Sequence, residues 1–268
     1  MALLLLDLGN TRLKWGVCAC APDDAQDCAP AHGAMPLESI ETLADSVRPH
    51  GSAGLRAAVG CAVAGAVATM RVEAQLTRLG LRCHWIHSLP QQGGVRNGYT
   101  TPSMLGADRW AALVGARLRH PGQAVLIISV GTAVTIDCLA ADGRFLGGVI
   151  LPGFGLMLRA LEMGTAGLKV PEGELREFPN NTSDGLMTGG ALAIAGAARQ
   201  MHERLARLQQ QEPAVLLTGG AAPKLELALG LPHESVEHLV FEGLLGIAAE
   251  RGLIPRQRER AGHGTARA

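Results

Sequence analysis

The sequence predicts an α/β protein with two similar domains, each a mixed β-sheet flanked by helices. An apolar run, a Gly-Asn turn and a second run of alternating character occupy residues 3–17, a pattern typical of strand, turn and strand. The same pattern returns at residues 125–137, where a Gly-Thr turn separates the two runs. Between these stretches, apolar runs alternate with segments of helical period, which favours a mixed sheet with helices on its faces.

The size and composition of the chain are those of a globular protein. Its 268 residues are enough for one large domain or two ordinary ones, and 47% hydrophobic with 18% charged residues excludes a disordered chain. The 24 basic residues offset the 24 acidic ones, so no general attraction to nucleic acid is implied. The apolar run at 3–6 is too short for a signal peptide or membrane span, and six irregularly spaced cysteines indicate reduced thiols. We therefore expect a cytoplasmic protein that binds neither nucleic acid nor membrane.

The first half of the chain is predicted to be a sheet with two helices, followed by a loop and a third helix. In order, the pattern gives a hairpin over 3–20, a weak strand within 23–35, a helix at 38–47, a strand at 55–63, a helix at 67–79 and a strand at 81–87. Residues 88–106 are rich in Pro, Gly and Asn, which is typical of a loop. The helix after this loop places Trp110, Leu113, Val114 and Leu118 on one apolar stripe.

The second half is predicted to repeat this layout. It has apolar strands at 125–129, 134–137, 144–151 and 214–218, and the last of them ends in glycines before a helix. A long helix from Asp184 has apolar residues at alternating spacings of four and three: Met187, Ala191, Ile194, Ala198, Met201, Leu205 and Leu208. This seam indicates either packing against a second copy or packing on the chain's own sheet. Residues 256–268 are polar and are predicted to be a disordered tail.

Asp7 is the first candidate site residue, because it ends a strand that otherwise reads as buried. A carboxylate there is costly unless it is paired or faces a ligand. Gly9 and Asn10 tolerate positive φ, as a two-residue hairpin turn requires. Beside Asp7, Gly9 permits close approach, while Asn10, Thr11 and Lys14 supply donors, which suits nucleotide phosphates and their Mg²⁺. The alternative is an ordinary hairpin with Asp7 as a turn residue.

Asp108 is the second candidate, in the first turn of the helix that follows the long loop. It lies off the apolar stripe, beside Ala111, Ala112 and Gly115, whose small side chains leave room for another group. Asp108 either complements the helix dipole or acts as a general base on a cavity-forming face.

Other motifs are excluded or explained by packing. No Gly-Lys-Ser or Gly-Lys-Thr occurs, so a P-loop is excluded, and no Gly-x-Gly-x-x-Gly follows a strand. Cys83, His84 and His87 form a tempting metal cluster, but they lie in an apolar run, where core packing is the favoured interpretation.

Four motifs, taken together, resemble those of the type III pantothenate kinases, members of the acetate and sugar kinase/Hsp70/actin superfamily. In chain order they are Asp7-x-Gly9-Asn10-Thr11-x-x-Lys14-Trp15-Gly16, Gly106-Ala107-Asp108-Arg109, Gly131-Thr132-Ala133-x-Thr135-x-Asp137 and Gly147-Gly148-x-Ile150-x-Pro152-Gly153. Each is weak alone, but the ordered set is specific. The resemblance implies two ribonuclease H-like (actin-like ATPase) domains, residues 1–119 and 120–255, with an ATP cleft between them.

The resemblance also implies an activity, which is ATP-dependent phosphorylation of pantothenate to 4'-phosphopantothenate in coenzyme A biosynthesis. Asp108 would be the general base, and Asp7 would lie near Mg²⁺. The implied contacts to ATP come from Asp7, Leu8, Gly9, Asn10, Thr11, Arg12, Leu13, Lys14 and Thr132. Those to pantothenate come from Tyr99, Gly106, Ala107, Asp108, Arg109 and Thr182. Phosphoryl transfer depends on positioning and charge neutralisation, which these residue types supply.

The sequence departs from the family pattern at the end of the strand 125–129. In that pattern the strand ends in an aspartate that helps to hold a monovalent cation, K⁺ or NH₄⁺, whereas Ser129 stands here. We therefore expect a weakened monovalent cation site at Ser129. Asp137 offers a carboxylate eight residues further on, across the hairpin.

The resemblance implies a homodimer, and the small residues of the 187–208 seam permit close helix approach. Two other functions stay open, a different small-molecule kinase or phosphatase of the superfamily and a regulatory accessory protein of the same fold. The neutral charge weighs against direct DNA contact, and the presence of Asp108 weighs against a purely regulatory role.

Overall fold

The first sheet lies within the first third of the chain. The computed structural model describes residues 2–19, 31–51, 54–164 and 171–254. Five strands pair in the order β3-β2-β1-β4-β5, and they are β1 (Ala2–Leu8), β2 (Arg12–Ala19), β3 (Ala31–Pro36), β4 (Leu55–Ala62) and β5 (Cys83–Ile86). The first three strands are antiparallel, whereas β4 and β5 run parallel to β1. This is the predicted mixed sheet.

Two helices cover one face of this sheet, and a long connection follows it. The helices are α1 (Leu43–Val47), preceded by a 3-10 turn at Leu37–Thr42, and α2 (Ala66–Arg78). The segment predicted to be loop contains a small hairpin, β6 (Gln91–Gln92) with β7 (Val95–Arg96), and then α3 (Ala107–Arg119). The helix predicted at 38–47 is thus split between a 3-10 turn and a short α-helix.

The second sheet repeats the strand order of the first. Its order is β10-β9-β8-β11-β12, with β8 (Val125–Val130), β9 (Ala133–Leu139), β10 (Phe145–Pro152), β11 (Ala214–Thr218) and β12 (Glu234–Ser235). The helices of this half are α4 (Phe154–Gly164), α5 (Thr182–Gln209), α6 (Pro223–Leu229) and α7 (Leu239–Glu250). The predicted repeat of one layout is therefore confirmed. The predicted tail at 256–268 and most of the region of the weak strand lie outside the described residues.

The first strand carries four consecutive leucines, Leu3 to Leu6, because both faces of its sheet are buried. Leu3 and Leu5 pack into the cluster that contains α3 and α7, whereas Leu4 and Leu6 pack into the cluster that contains α1 and α2. The second sheet is covered in the same way, because alternate residues of β8 pack against α3 and α7 or against α5 and α6. Helices α3 and α7 thus lie between the two sheets.

The hairpin turn after β1 differs from the prediction. Strand β1 ends at Leu8 and β2 begins at Arg12, so three residues connect them, and the Gly9 N–H donates to the Arg12 carbonyl at 3.0 Å. Neither Gly9 nor Asn10 has a positive φ. The predicted positive-φ turn at Gly9-Asn10 is therefore wrong, because the connection also includes Thr11 and reverses the chain without the left-handed conformation.

The small residues on α3 accommodate a helix rather than a ligand. Gly115 lies against the Leu239 carbonyl, and Gly243 lies against the carbonyl of Ala111, so α3 and α7 pack backbone to backbone. Ala111 and Ala112 are also buried. The expected cavity beside them is therefore absent from the described structure. Of the predicted stripe, Leu118 is 53% exposed, because α3 ends at the surface there.

The seam of α5 packs on the chain's own sheet. Ile194, Ala198 and Leu205 are buried against β8, β9 and β11, with Met201 partly buried beside them, and Ala191 is buried as well. Packing of this seam against a second copy is therefore wrong, because its central residues are already covered. Among the helices that the structure describes, none is long and apolar enough to cross a membrane.

Candidate active site

Two turns from the two sheets meet at the mouth of the candidate site. Thr11 follows β1, Thr132 follows β8, and their hydroxyl oxygens lie 2.7 Å apart. The two strands occupy equivalent places in their sheets, so the contact joins equivalent turns of the repeated unit. Both threonines are exposed. A ligand with several oxygens can therefore be approached by hydroxyl donors from both sides.

Asp7 lies inside β1, beside this contact, and its carboxylate has two partners. Lys14 pairs with Asp7 across the hairpin, and its Nζ donates to Oδ2 at 3.1 Å. The thiol of Cys61 on β4 donates to Oδ1 at 3.6 Å. Asp7 is only 7% exposed, whereas the Lys14 side chain is 45% exposed. The interpretation of Asp7 as a turn residue is therefore wrong, since it is a buried, ion-paired strand residue.

The Asp7 carboxylate fits a divalent cation that arrives with a nucleotide. Each of its oxygens accepts one hydrogen bond and keeps a further lone pair, and carboxylate oxygens are the ligands that Mg²⁺ prefers. The other residues of the first motif divide into two groups. The side chains of Leu8 and Leu13 are in the core, so only their backbone can contact a ligand, whereas Asn10 and Arg12 are exposed.

Asp108 lies in the first turn of α3, half-buried on the same side of the molecule as Asp7. The Arg109 backbone N–H donates to its Oδ1 at 2.8 Å. Burial, and then the negative charge of Asp7, raise the pKa of the Asp108 carboxyl, while the Arg109 N–H and charge oppose this. A Cβ on Gly106 would lie 2.6 Å from Oδ1, so glycine at that position leaves room for the carboxylate. This position of Asp108 agrees with a role as general base, and it agrees equally with a carboxylate that complements the dipole of α3.

Arg109 connects the two halves of the chain beneath Asp108. Its guanidinium donates to both oxygens of Asp137 on β9, at 3.1 Å from Nε and through Nη2. Nη1 donates to the hydroxyl of Tyr99 at 2.8 Å, and the Tyr99 ring stacks on Phe145 with centroids 5.6 Å apart. Arg109 and Asp137 are 8% and 2% exposed, so this ion pair is buried.

The Asp137 carboxylate is buried, and its surroundings leave space for it beside Arg109. Burial raises the pKa of the Asp137 carboxyl, and the hydrogen bonds and charge of Arg109 and the Thr135 hydroxyl act in the opposite direction. A Cβ on Gly148 would overlap the Asp137 Oδ1, so the glycine of the fourth motif leaves space for this carboxylate. The sequence analysis considered Asp137 as a possible cation ligand, but in the structure both of its carboxylate oxygens accept hydrogen bonds from Arg109.

Comparison with known proteins identifies the family. The profile of the type III pantothenate kinases matches residues 3–204. The chain belongs to the type III pantothenate kinase family. The chain is 51% identical to the type III pantothenate kinase of Leptothrix cholodnii, over 94% of this chain and 98% of that protein. It is 48% identical to the type III pantothenate kinase of Methylibium petroleiphilum, over 94% and 100% of the two chains. The predicted family and kinase activity are confirmed.

Two solved structures share the fold. A Campylobacter jejuni protein assigned to the Baf family of transcriptional activators has a TM-score of 0.57 at 18% identity, covering 94% of this chain and 100% of that one. The ethanolamine utilization protein EutJ from Carboxydothermus hydrogenoformans has a TM-score of 0.52 at 15% identity, covering 92% and 89%. At these identities the likeness extends to the fold alone, and it agrees with the predicted α/β architecture.

Two predicted site residues of this pantothenate kinase lie apart from the group around Asp108. Thr182 is exposed at the start of α5, and its side chain makes no hydrogen bond to any described residue. Ser129 is half-buried on β8, where it pairs with Thr135 on β9 and Thr218 on β11. Paired residues share a face of the sheet, so three hydroxyl side chains form a row there.

Sequence reasoning missed one residue of the site and correctly set aside one cluster. Cys61 contacts Asp7 but gave no signal, because a buried cysteine in an apolar strand is ordinary. Cys83, His84 and His87 do not bring their ligand atoms together in the described structure. This agrees with the interpretation of that run as core packing.

Proposed function

We propose that this chain transfers the γ-phosphoryl group of ATP to the hydroxyl of pantothenate at the place where the Thr11 and Thr132 turns meet, with Asp108 as general base. The observation that carries the proposal is the approach of two carboxylates from different elements, Asp7 from β1 and Asp108 from α3, behind the two turns. The charge of Asp7 acts on Asp108, and both act on Cys61. We place the reaction in the cytoplasm.

The two carboxylates have different partners, which suits different tasks. Asp7 is paired with Lys14 beside the proposed position of the phosphates, where Mg²⁺ bound with ATP would neutralise charge on the phosphate oxygens. Asp108 forms no side-chain ion pair with any described residue, because the Arg109 guanidinium is engaged by Asp137. A carboxylate with a raised pKa next to a bound hydroxyl accepts its proton as the phosphoryl group is transferred.

The acceptor lies next to Asp108 in this proposal, between Tyr99 and Arg109. Three of the five guanidinium N–H groups of Arg109 are used by Asp137 and Tyr99, so others are left to donate to pantothenate oxygens. Because Arg109 is fixed at three points, its free donors have a defined direction, and a defined direction places the acceptor hydroxyl at Asp108.

The activity is tested by ATP consumption with and without pantothenate, with the product identified by mass. Sugar and polyol acceptors at the same concentration are the comparison. We expect ATP turnover that depends on pantothenate and a product heavier than pantothenate by one phosphoryl group. Turnover with a sugar and none with pantothenate would assign the cleft to another acceptor, and turnover with neither would contradict the kinase proposal.

The monovalent cation is proposed to be held weakly. Ser129, Thr135 and Thr218 offer hydroxyl oxygens, but a hydroxyl lacks the charge of a carboxylate, and Asp137 is engaged by Arg109. We expect activity in sodium buffer and a modest increase as potassium replaces sodium at fixed ionic strength. Ser129→Asp should strengthen the response to potassium. An absolute potassium requirement of the unaltered protein would contradict this expectation.

A homodimer is proposed to form through α4 and the outer side of α5. Helix α4 is rich in apolar residues yet has none buried, with Leu161 45% and Met163 89% exposed. On α5, Leu192 is 53% exposed, and a cavity of about 110 Å³ between the two helices has mainly apolar walls. Contiguous apolar surface of this kind is typical of an interaction site.

Leu161→Asp is expected to convert the dimer to a monomer, because it places a charge in this apolar surface. Light scattering gives the mass directly. The matched control is Met70→Asp on α2, where a 67% exposed methionine lies on a helix that covers the first sheet. Thr182 begins α5 beside this surface, so the monomer should also bind pantothenate more weakly. A Leu161→Asp protein that stays dimeric at the unaltered affinity would move the interface elsewhere.

A further inference from the structure

Three metal-ligating side chains converge where the edge strand of the first sheet meets the start of α7. His32 lies on β3, and Glu237 and His238 immediately precede α7. The Nε2 of His32 and the Oε1 of Glu237 are 3.9 Å apart, and that oxygen is 3.8 Å from the Nε2 of His238. All three ligand atoms lie within 4.8 Å of one another. Among the described residues, no other set of three histidine, cysteine or acidic side chains is grouped in this way.

Neighbouring rings fix the orientation of the His238 ring, but its Nε2 has no hydrogen-bond partner among the described residues. The ring stacks on Phe241 with centroids 5.5 Å apart, and the His32 ring meets it edge-on at 4.5 Å. The Nε2 of His238 is buried and has no hydrogen-bond partner in the described structure. A buried polar atom without a partner is costly, so its retention calls for an explanation.

We propose that His32, Glu237 and His238 form a binding site for a divalent transition-metal ion of the Zn²⁺ type, separate from the site of Mg²⁺-ATP. Two imidazole nitrogens and one carboxylate oxygen are an established protein ligand set for zinc, with a fourth position left to water. Imidazole ligands favour zinc, cobalt and nickel, whereas magnesium prefers oxygen ligands alone. The ion would supply the partner that the buried Nε2 lacks.

The observed spacing needs only a small adjustment to hold such an ion. Ligand atoms of a tetrahedral zinc site lie roughly 3.3 Å apart, since each is about 2.0–2.1 Å from the metal. The two distances to the Glu237 oxygen exceed this separation by about 0.6 and 0.5 Å. Glu237 is 77% exposed and His32 is 45% exposed, so both side chains can move inward. His32 pairs with Gly16 on β2, which has no side chain to obstruct it.

An ion at this position would tie the first sheet to a helix of the second half of the chain. His32 belongs to β3, whereas His238 is the N-terminal cap of α7, which packs against α3. We therefore expect bound metal to raise the melting temperature of the protein. This readout does not depend on the kinase reaction.

The test uses the untagged full chain, stripped of metal and titrated with Zn²⁺ alone by isothermal titration calorimetry. We expect one ion per chain and a binding constant at least tenfold weaker in His238→Gln and in His32→Asn. The matched control is His202→Asn. The Nε2 of His202 lies 3.3 Å from the Oε2 of Glu212, and within the described part of the chain no third metal-ligating side chain joins that pair. This control should bind zinc as the unaltered chain does.

Two further measurements keep the outcome decisive. The melting temperature of His32→Asn in chelator is its own reference, and zinc should not raise it further, whereas the unaltered chain and the control should gain stability on zinc addition. Co²⁺ in place of Zn²⁺ should give visible absorption bands that His238→Gln lacks. Zinc binding of unchanged strength in both histidine variants, or no binding by the unaltered chain, would overturn the proposal.

Discussion

Replacing Asp108 by Asn is expected to lower turnover by a factor of about 10²–10⁴ while the fold is kept. The amide fills the same space below Gly106 and can still accept the Arg109 backbone N–H, but it cannot take a proton from the acceptor hydroxyl. The rate constant kcat, measured with saturating ATP and pantothenate, is the quantity to compare. Turnover close to that of the unaltered enzyme in a stably folded Asn variant would leave only the helix-dipole role.

Asp7→Asn should affect nucleotide binding rather than proton transfer, because Asp7 lies at the proposed position of Mg²⁺-ATP. We expect weaker binding of Mg²⁺-ATP with pantothenate binding largely kept, and isothermal titration of each ligand separates the two losses. The variant has a second consequence. The charge of Asp7 contributes to the raised pKa of Asp108, so its removal should lower that pKa.

The pH profile gives the sign of this coupling. A general base must be deprotonated, so kcat/KM is lost as pH falls through the pKa of Asp108. Because that pKa is raised, the loss begins at a higher pH than an ordinary aspartate would give. In Asp7→Asn the acid limb should move to lower pH. A limb that stays in place would show that Asp7 and Asp108 do not interact.

Replacing Asp137 by Ala should reduce the free energy of unfolding by about 3–5 kcal/mol, since it leaves Arg109 charged and buried without its partner. The KM for pantothenate should rise as well, because Asp137 positions Arg109, and Arg109 holds Tyr99. Denaturant unfolding and steady-state kinetics measure the two effects. The double variant Arg109→Met with Asp137→Leu should recover much of the stability and none of the activity.

The control for this change is Asp142→Ala. Asp142 forms an exposed ion pair with Arg96 at 2.5 Å, and such pairs contribute about 0–1 kcal/mol. A loss of stability in Asp137→Ala no larger than in this control would show that the buried pair does not hold the two halves together.

The sequence was sufficient for the fold because local pattern and tertiary placement agree in most elements. The unbroken leucines of β1 follow from burial on both sides of a sheet, and the repeated hairpin at 125–137 predicted the repeated strand order. The α5 seam shows the limit of such reasoning. A heptad-like spacing states that one face of a helix is buried, but it does not state whether the helix packs on its own sheet or on a second copy.

The site was predictable where side chains come from one motif and not where elements distant in the chain meet. Asp7 and Lys14 are neighbours across one hairpin, so their pairing follows from strand register. The pairing of Arg109 with Asp137 depends on how α3 lies on β9, which no local pattern encodes. The small residues of α3 were misread for the same reason, because the sequence could not show that α7 fills the space they leave.

The central claim is that Asp7 and Asp108 serve opposite ends of one phosphoryl transfer, and a crystal structure with pantothenate, Mg²⁺ and a non-hydrolysable ATP analogue tests it most directly. We expect the γ-phosphate analogue in contact with both the Thr11 and the Thr132 turns, the metal on the side of Asp7, and the pantothenate hydroxyl about 2.6–3.2 Å from an Asp108 oxygen. A pantothenate hydroxyl that faces away from Asp108, or a nucleotide bound outside the two turns, would contradict the account.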